Sequence, residues 1–185
     1  DMRHHLTMLE GLIAAGKPEQ AAAYIRKVQS DIETITPRRY CENELVNLLC
    51  SSFAEKAQHA GARLDVDARL PQALDISDAE LCAVLSNALE NALHAVAALP
   101  ENERTVSLYC AVRLGKLLIE VKNPYAGELT LSPDGRPVTA RKGHGYGCQS
   151  IQTIAARSGG LCEFKAGCGT FCLQIVLPLK AAAPV

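Results

Sequence analysis

Residues 77–98, SDAELCAVLSNALENALHAVAA, have the periodicity of one long helix. Ser77 is predicted to be its N-cap, with Glu80 three residues later as the capping-box partner, and Pro100 lies just beyond its end. At about 100° per residue, the apolar side chains form one wide arc that predicts packing against a core. The arc consists of Leu81, Val84, Leu85, Ala88, Ala92, Ala95 and Val96.

Polar side chains gather on the other side of this helix. The group consists of Asn87, Glu90, Asn91 and His94. An Asn carbonyl oxygen suits a hard cation, and Glu adds charge or a proton acceptor. Such a group fits a Mg²⁺–triphosphate complex, in which the metal keeps waters and takes one or two protein oxygens. A simple solvated face is the alternative, because a second pair with the same spacing, Asn43 and Asn47, carries no evident chemistry.

Residues 141–151, RKGHGYGCQSI, place Gly143, Gly145 and Gly147 at alternate positions before a helix expected over about 147–158. Two interpretations compete: a mobile surface loop, or a cradle whose backbone N–H groups approach phosphate. The pattern differs from the dinucleotide fingerprint, which needs G-x-G-x-x-G directly after a strand. The glycines alone do not choose between the two.

Composition limits the class of protein. The chain has 185 residues, a formal net charge of −1 and no apolar run of transmembrane length, so binding to nucleic acid or a membrane surface is not indicated. We also expect no signal peptide. The eight cysteines form no CxxC pair and lack zinc-ligand spacing, which predicts reduced thiols, mostly buried. With 48% hydrophobic and 4% aromatic residues, the core is predicted to be aliphatic.

The remaining pattern predicts an α+β fold with one sheet covered by helices on one face. Amphipathic helices over 2–15 and 18–35, joined at Gly16, indicate an N-terminal antiparallel helical hairpin. A helix over about 43–60 and strands at RLDVDARL, RTVSLYCAVRLGKLLIEVKN, LCEFKA and GTFCLQIVLPL follow, and antiparallel pairing is expected. The predicted domains are 1–37 and 38–185.

The order of these segments resembles the GHKL ATPase (Bergerat) fold shared by histidine kinases, gyrase, the Hsp90 chaperone and MutL. NALENAL is similar to the family's N box, GHGYG to its second glycine box and GTFCLQIVLP to its final strand. The resemblance spans about residues 40–180. It implies a two-layer α/β sandwich with ATP and Mg²⁺ as cofactors.

The first residues, DMRHHLTMLEGLI, resemble the dimerisation helices of sensor histidine kinases of the citrate-sensor and agr-like quorum-sensing type. Their motif is His-Asp-x-x-(Asn/His)-x-Leu, with the phosphorylated His before the Asp. Asp1 would be that Asp, His4 and Leu6 match the later positions, and the phosphorylated His would precede Asp1. We therefore expect this sequence to lack its own phosphoacceptor, with His4 or His5 as the alternative acceptors.

The resemblance assigns roles to residues of the helix and the glycine segment. Asn91 would coordinate Mg²⁺ through its side-chain oxygen, with Asn87 close to the metal or phosphates. Glu90 would order a water or assist proton transfer, and Asp1 would polarise the acceptor imidazole. Asn123, in VKNPY, replaces the adenine-binding Asp of the family's first glycine box, whose glycine is absent here. The expected contacts to nucleotide from the glycine segment are Arg141, Lys142, Gly143, His144, Gly145, Tyr146 and Gly147.

The implied reaction is transfer of the ATP γ-phosphoryl group to a histidine and then to an Asp of a response regulator. The expected assembly is a homodimer through the hairpin, in the cytoplasmic part of a bacterial membrane sensor whose sensor region lies outside this sequence. Three alternatives stay open. They are a non-catalytic nucleotide-sensing dimer of the same fold, an anti-sigma-factor-type serine kinase (a class without the hairpin), and an unrelated α+β binding module with a mobile glycine loop.

Overall fold

A computed structural model describes residues 2–35, 39–132, 135, 137 and 146–179. The chain divides into two compact units, Asp1–Arg38 and Arg39–Val185. The first unit contains helices α1 (Met2–Ala14) and α2 (Pro18–Ile35). The second contains α3 (Glu44–His59), β1 (Arg63–Arg69), α4 (Asp78–Val96), a 3-10 turn (Glu101–Glu103), β2 (Thr105–Arg113), β3 (Lys116–Pro124), α5 (Tyr146–Arg157), β4 (Leu161–Gly167) and β5 (Thr170–Pro178).

A glycine turn separates the two helices of the first unit. Gly16 has φ 68°, and the N–H of Lys17 donates to the carbonyl of Leu12 at 3.0 Å. This left-handed residue ends α1, as the sequence predicts. Leu6 and Ile13 remain 54% and 64% exposed, so the hairpin by itself leaves much of its apolar stripe uncovered.

The second unit is built on a five-stranded sheet of order β1-β2-β3-β5-β4. Pairing is antiparallel except between β1 and β2, which run parallel. The expectation of a purely antiparallel sheet is therefore wrong at β1. The reason is that α4 connects β1 to β2 as a crossover, and a crossover returns the chain in the same direction. The fold class is otherwise confirmed as a mixed α/β sandwich.

Helix α4 lies at the centre of the helix layer. It packs on β2 and β3 and lies against α3 and α5. The predicted arc is buried except for Ala95, which is partly exposed, and Leu89, omitted from the arc, is fully buried. The helix is apolar over a wider arc than the sheet alone requires because it also contacts two helices. Ser77 is its N-cap, but its side chain makes no capping hydrogen bond within the described residues.

The turn from α5 into β4 brings backbone close to backbone. Gly159 has φ 66°, and the N–H of Gly160 donates to the carbonyl of Ala155 at 2.8 Å. A Cβ on Gly160 would overlap the carbonyl oxygen of Val176 and lie 2.9 Å from Leu177 Cδ2. Glycine at 160 therefore lets α5 end directly above β5.

The cysteines are all free thiols, in agreement with the prediction. Burial raises the pKa of Cys50 and of Cys162 to about 12, and it raises the pKa of Cys110 well above its ordinary value. These thiols are therefore neutral at physiological pH. Fewer of the eight cysteines are buried than expected. Three are buried, four are half-buried, and Cys168 is exposed in the β4–β5 turn.

None of the helices in the described part of the chain combines the length and the apolarity that a bilayer span requires.

Candidate functional site

The two predicted polar segments meet where the first turn of α5 contacts α4. A Cβ on Gly147 would lie 3.2 Å from Asn87 Oδ1, 3.1 Å from Asn91 Nδ2 and 3.5 Å from Asn91 Oδ1. Gly147 has no left-handed φ, so its lack of a side chain matters here because of close approach. The last glycine of the segment thus lies directly against both asparagine amides of α4. We call Asn87, Asn91 and Gly147 the amide cluster.

A hydrogen bond joins the two helices at the same place. Asn91 Nδ2 donates to Cys148 Sγ at 3.5 Å, and Cys148 is 8% exposed. A thiol sulfur is a weak acceptor, and the bond has the NH₂ end of the Asn91 amide toward α5. Sequence reasoning missed Cys148 as a member of the site. The available signal was its position directly after the third glycine.

The N-terminus of α5 differs in charge from those of α3 and α4. This twelve-residue helix has no acidic side chain in its first turn, whereas α3 begins with Glu44 and α4 carries Asp78 and Glu80. The N–H groups of a first helical turn have no partner within the helix, and with the helix dipole they make such an end favourable for negative charge. No acidic side chain of its first turn neutralises that end of α5.

The oxygens of the amide cluster fit a hard cation. Asn87 Oδ1 lies 3.2 Å and Asn91 Oδ1 3.5 Å from the Cβ position of Gly147, with Asn91 Nδ2 nearer at 3.1 Å, and amide oxygens are acceptable ligands for Mg²⁺. Among residues 2–35, 39–132 and 146–179, no group of three or more His, Cys, Asp or Glu residues could hold a metal ion. A cation here would therefore take most of its ligands from water or from a bound anion. Mg²⁺ accompanied by phosphates binds in this way.

The Glu90 carboxylate is on the side of α4 that faces α3. Its Oε1 lies 3.7 Å from Lys56 Nζ, and both side chains are about half exposed. The same Lys56 ammonium lies 4.5 Å from the ring centre of Phe53. The structure thus gives Glu90 a cationic neighbour that the sequence did not indicate. An exposed pair of this kind contributes about 0–1 kcal/mol to folding.

Asn123 is buried at the end of β3, on the face of the sheet that the helices cover. It is 2% exposed, it pairs with Phe171 of β5, and its Nδ2 donates to the carbonyl of Pro124 at 2.9 Å. This bond directs the amide nitrogen toward Pro124, which leaves the oxygen as the end turned away from that carbonyl. Asn123 therefore lies within the paired strand and not in a turn.

The other predicted site residues divide into two groups. His94 is exposed on α4, one turn after Asn91, and Tyr146 begins α5. The remainder lie outside the described residues: Asp1, Arg141, Lys142, Gly143, His144 and Gly145.

The second asparagine pair has a structural role. Asn43 is the N-cap of α3, and its Oδ1 accepts from the N–H of Val46 at 3.0 Å. Asn47 Oδ1 accepts from the N–H of Tyr40 at 2.7 Å. Both amides hold the entry to α3, so this pair contributes to the fold. An open recess of about 470 Å³ includes Tyr40 in its lining, which consists of residues 39–42 and 68–71. It shares no residue with the amide cluster.

Comparison with known families decides the classification. The family model described as the GHKL domain matches residues 76–178, which is more than half of the chain and includes the whole amide cluster. The chain belongs to the GHKL family. Curated proteins offer no match to it.

Solved structures of histidine kinases share the fold. The catalytic domain of ThkA has a TM-score of 0.58 and 18% identity over 73% of this GHKL chain and 90% of ThkA. Full-length ShkA in complex with AMPPNP has a TM-score of 0.57 and 20% identity over 76% of this chain. The histidine kinase AdeS of Acinetobacter baumannii has a TM-score of 0.51 and 12% identity, covering 96% of both chains. The GHKL chain spans 30% of the length of ShkA. At these identities the likeness concerns the fold alone.

Proposed function

We propose that this GHKL chain is the ATP-binding catalytic part of a sensor histidine kinase of the citrate-sensor or agr-like type. One observation carries the proposal: the first turn of α5 lies against both amides of α4 through Gly147. Two further observations support it. The first turn of α5 has no acidic side chain, and ShkA, which shares the fold, has been solved in complex with AMPPNP.

The amide cluster is the proposed site for the metal–phosphate part of the nucleotide. Asn91 would hold Mg²⁺ through Oδ1, and Asn87 would contact the metal or the phosphates. When bound, the ion neutralises negative charge on the phosphates as the phosphoryl group is transferred. The two side chains orient the complex, since phosphoryl transfer depends mainly on positioning and charge neutralisation.

The start of α5 is the proposed phosphate-binding end. Its dipole contributes about 0.3–1 kcal/mol at an exposed site and about 2 kcal/mol when partly buried, so it assists binding without supplying most of the affinity. The burial of adenine, together with the bound metal, must supply the rest of the affinity. The glycine segment would close over the phosphates with its backbone N–H groups and basic side chains. Its proposed contacts are Arg141, Lys142, Gly143, His144, Gly145 and Tyr146.

Adenine recognition is assigned to Asn123. The adenine 6-amino group donates hydrogen bonds, so it requires an acceptor. The hydrogen bond from Asn123 Nδ2 to Pro124 leaves Oδ1 as the end that could accept. A buried amide can thereby replace the Asp of the family's first glycine box.

The proposed reaction moves the γ-phosphoryl group of ATP to an imidazole nitrogen. The bond between the γ-phosphorus and its bridging oxygen breaks, a P–N bond forms, and ADP leaves with the bridging oxygen. Asp1 would polarise the accepting imidazole, and Glu90 would order water or take a proton. The phosphoryl group would pass next to an Asp of a response regulator.

The hairpin is the proposed dimer interface. Leu6, Met8, Ile13 and Ile25 are between 41% and 64% exposed, and a second hairpin would cover such side chains in a four-helix bundle. By the resemblance to sensor histidine kinases, the chain would be the cytoplasmic part of a membrane sensor protein.

Replacing Asn91 by Ala tests the proposed function. Titration with Mg·AMPPNP should show clear binding to the parent chain and at least tenfold weaker binding to Asn91→Ala, which corresponds to about 1.4 kcal/mol. The reason is that the substitution removes a ligand oxygen without disturbing the core, because Asn91 is exposed.

Asn47→Ala is the matched control. It removes the amide of an asparagine that also ends an Asn-x-x-x-Asn pair, on α3, and whose oxygen accepts from the N–H of Tyr40. We expect it to lower stability and leave the affinity for Mg·AMPPNP unchanged. Equal affinity of Asn91→Ala and the parent would remove Asn91 from the site, and a parent chain that binds no nucleotide would end the proposal.

A further inference from the structure

An asparagine that holds a cation must present its oxygen and not its NH₂ group. The two ends of the amide have nearly the same shape but opposite polarity, and the terminal torsion of Asn has a broad, roughly two-fold preference. A rotated amide would direct two N–H donors toward the ion. A site that uses Asn91 therefore gains from any neighbour that fixes the orientation of this amide.

Cys148 is that neighbour in this chain. Its sulfur accepts from Asn91 Nδ2 at 3.5 Å, across the contact between α4 and α5. The amide nitrogen is also nearer than the oxygen to the Cβ position of Gly147, at 3.1 Å against 3.5 Å. Both distances describe an amide with its NH₂ end toward α5.

We propose that Cys148 is a positioning residue, which holds the Asn91 amide so that Oδ1 is the end available to the nucleotide-bound cation. The inference rests on the proposed function and adds a residue to it. Cys148 is 8% exposed in the first turn of α5, and the core cluster of the second unit includes it, so its sulfur has a fixed place. The thiol thereby links the phosphate-binding end of one helix to the metal ligand on the other.

A double-mutant cycle tests this role. The affinities of the parent, Cys148→Ala, Asn91→Ala and the double variant are measured for AMPPNP with Mg²⁺ and for AMPPNP with EDTA. Cys148→Ala should weaken Mg·AMPPNP binding about threefold to tenfold, since one weak hydrogen bond is lost, and change the metal-free affinity less than about twofold. In the Asn91→Ala background the same substitution should have no further effect. Cys148→Ser should recover most of the loss, because its hydroxyl also accepts.

Cys110→Ala is the matched control for the loss of a buried thiol. Cys110 lies in the core on β2, with no exposed surface, and its replacement should alter stability and leave the metal dependence unchanged. An equal effect of Cys148→Ala with and without Mg²⁺, or an undiminished effect in the Asn91→Ala background, would overturn the inference.

A readout without nucleotide completes the test. The side-chain NH₂ signals of Asn91 in a ¹⁵N–¹H spectrum, assigned by their loss in Asn91→Ala, should shift in Cys148→Ala and stay in place in Cys110→Ala. Unshifted signals would overturn the inference alone. A parent chain that fails to bind Mg·AMPPNP would overturn the proposed function, and the role of Cys148 with it.

Discussion

Gly160→Ala is expected to lower the free energy of unfolding of the Arg39–Val185 unit by about 3 kcal/mol, the upper end for overpacking in a rigid place. The new methyl group would overlap the carbonyl oxygen of Val176 and lie 3.2 Å from Leu177 Cα. These are backbone atoms of β5, and β5 is hydrogen-bonded on both sides, to β3 and to β4. The strand cannot move without breaking one of these pairings.

Chemical denaturation measures this loss, and thermal unfolding should show a midpoint lower by about 6–12 °C, at 2–4 °C per kcal/mol. Gly167→Ala is the matched control. Gly167 is in β4, has no left-handed φ and has nothing within 4 Å of its Cβ position. Its replacement should change stability by less than about 0.5 kcal/mol. Equal stability of the two variants would show that α5 and β5 are not held as closely as the structure has them.

Gly147→Val is expected to have the largest effect on nucleotide binding, a loss of at least about thirtyfold, or about 2 kcal/mol. The Cβ alone would lie 3.1 Å from Asn91 Nδ2 and 3.2 Å from Asn87 Oδ1, and two further methyl groups would displace both amides. The displaced atoms are the ends of flexible side chains, so we expect folding to change by only about 1 kcal/mol. Calorimetric titration with Mg·AMPPNP measures the first effect, and denaturation measures the second.

Gln149→Val controls for a β-branched side chain at the start of α5. Gln149 is exposed in the same part of the helix, two residues further on. We expect the affinity of the Gln149→Val variant for Mg·AMPPNP to equal that of the parent. A folded Gly147→Val variant that binds as tightly as the parent would show that the nucleotide does not use the contact between α4 and α5.

Much of the fold was predictable from the chain because its signals are local. The periodicity of residues 77–98 fixes α4 to within two residues of its observed ends, Asp78 and Val96. The turn at Leu114 and Gly115, both with positive φ, was predictable from the glycine between two apolar runs. The position of Asn87 and Asn91 on one side of α4 also follows from their angular spacing alone.

The features that sequence reasoning missed depend on which elements become neighbours in space. The parallel pairing of β1 with β2 arises because the α4 crossover brings β2 beside β1 in the same direction. The hydrogen bond from Asn91 to Cys148 joins residues 57 positions apart, and the ion pair of Glu90 with Lys56 joins α4 to α3. Neither has a periodic pattern, since each requires one particular pair of side chains to face each other across two helices.

The most direct test of the central claim replaces Mg²⁺ with paramagnetic Mn²⁺, which also prefers oxygen ligands. On addition of Mn·AMPPNP, the ¹⁵N–¹H signals closest to the ion lose intensity first. Those signals should be the side-chain amides of Asn87 and Asn91 and the backbone amides of Gly147 and Cys148. The exposed Asn102, in the 3-10 turn after α4, should keep its side-chain signal. Strong broadening elsewhere, with the signals of the amide cluster unchanged, would contradict the account.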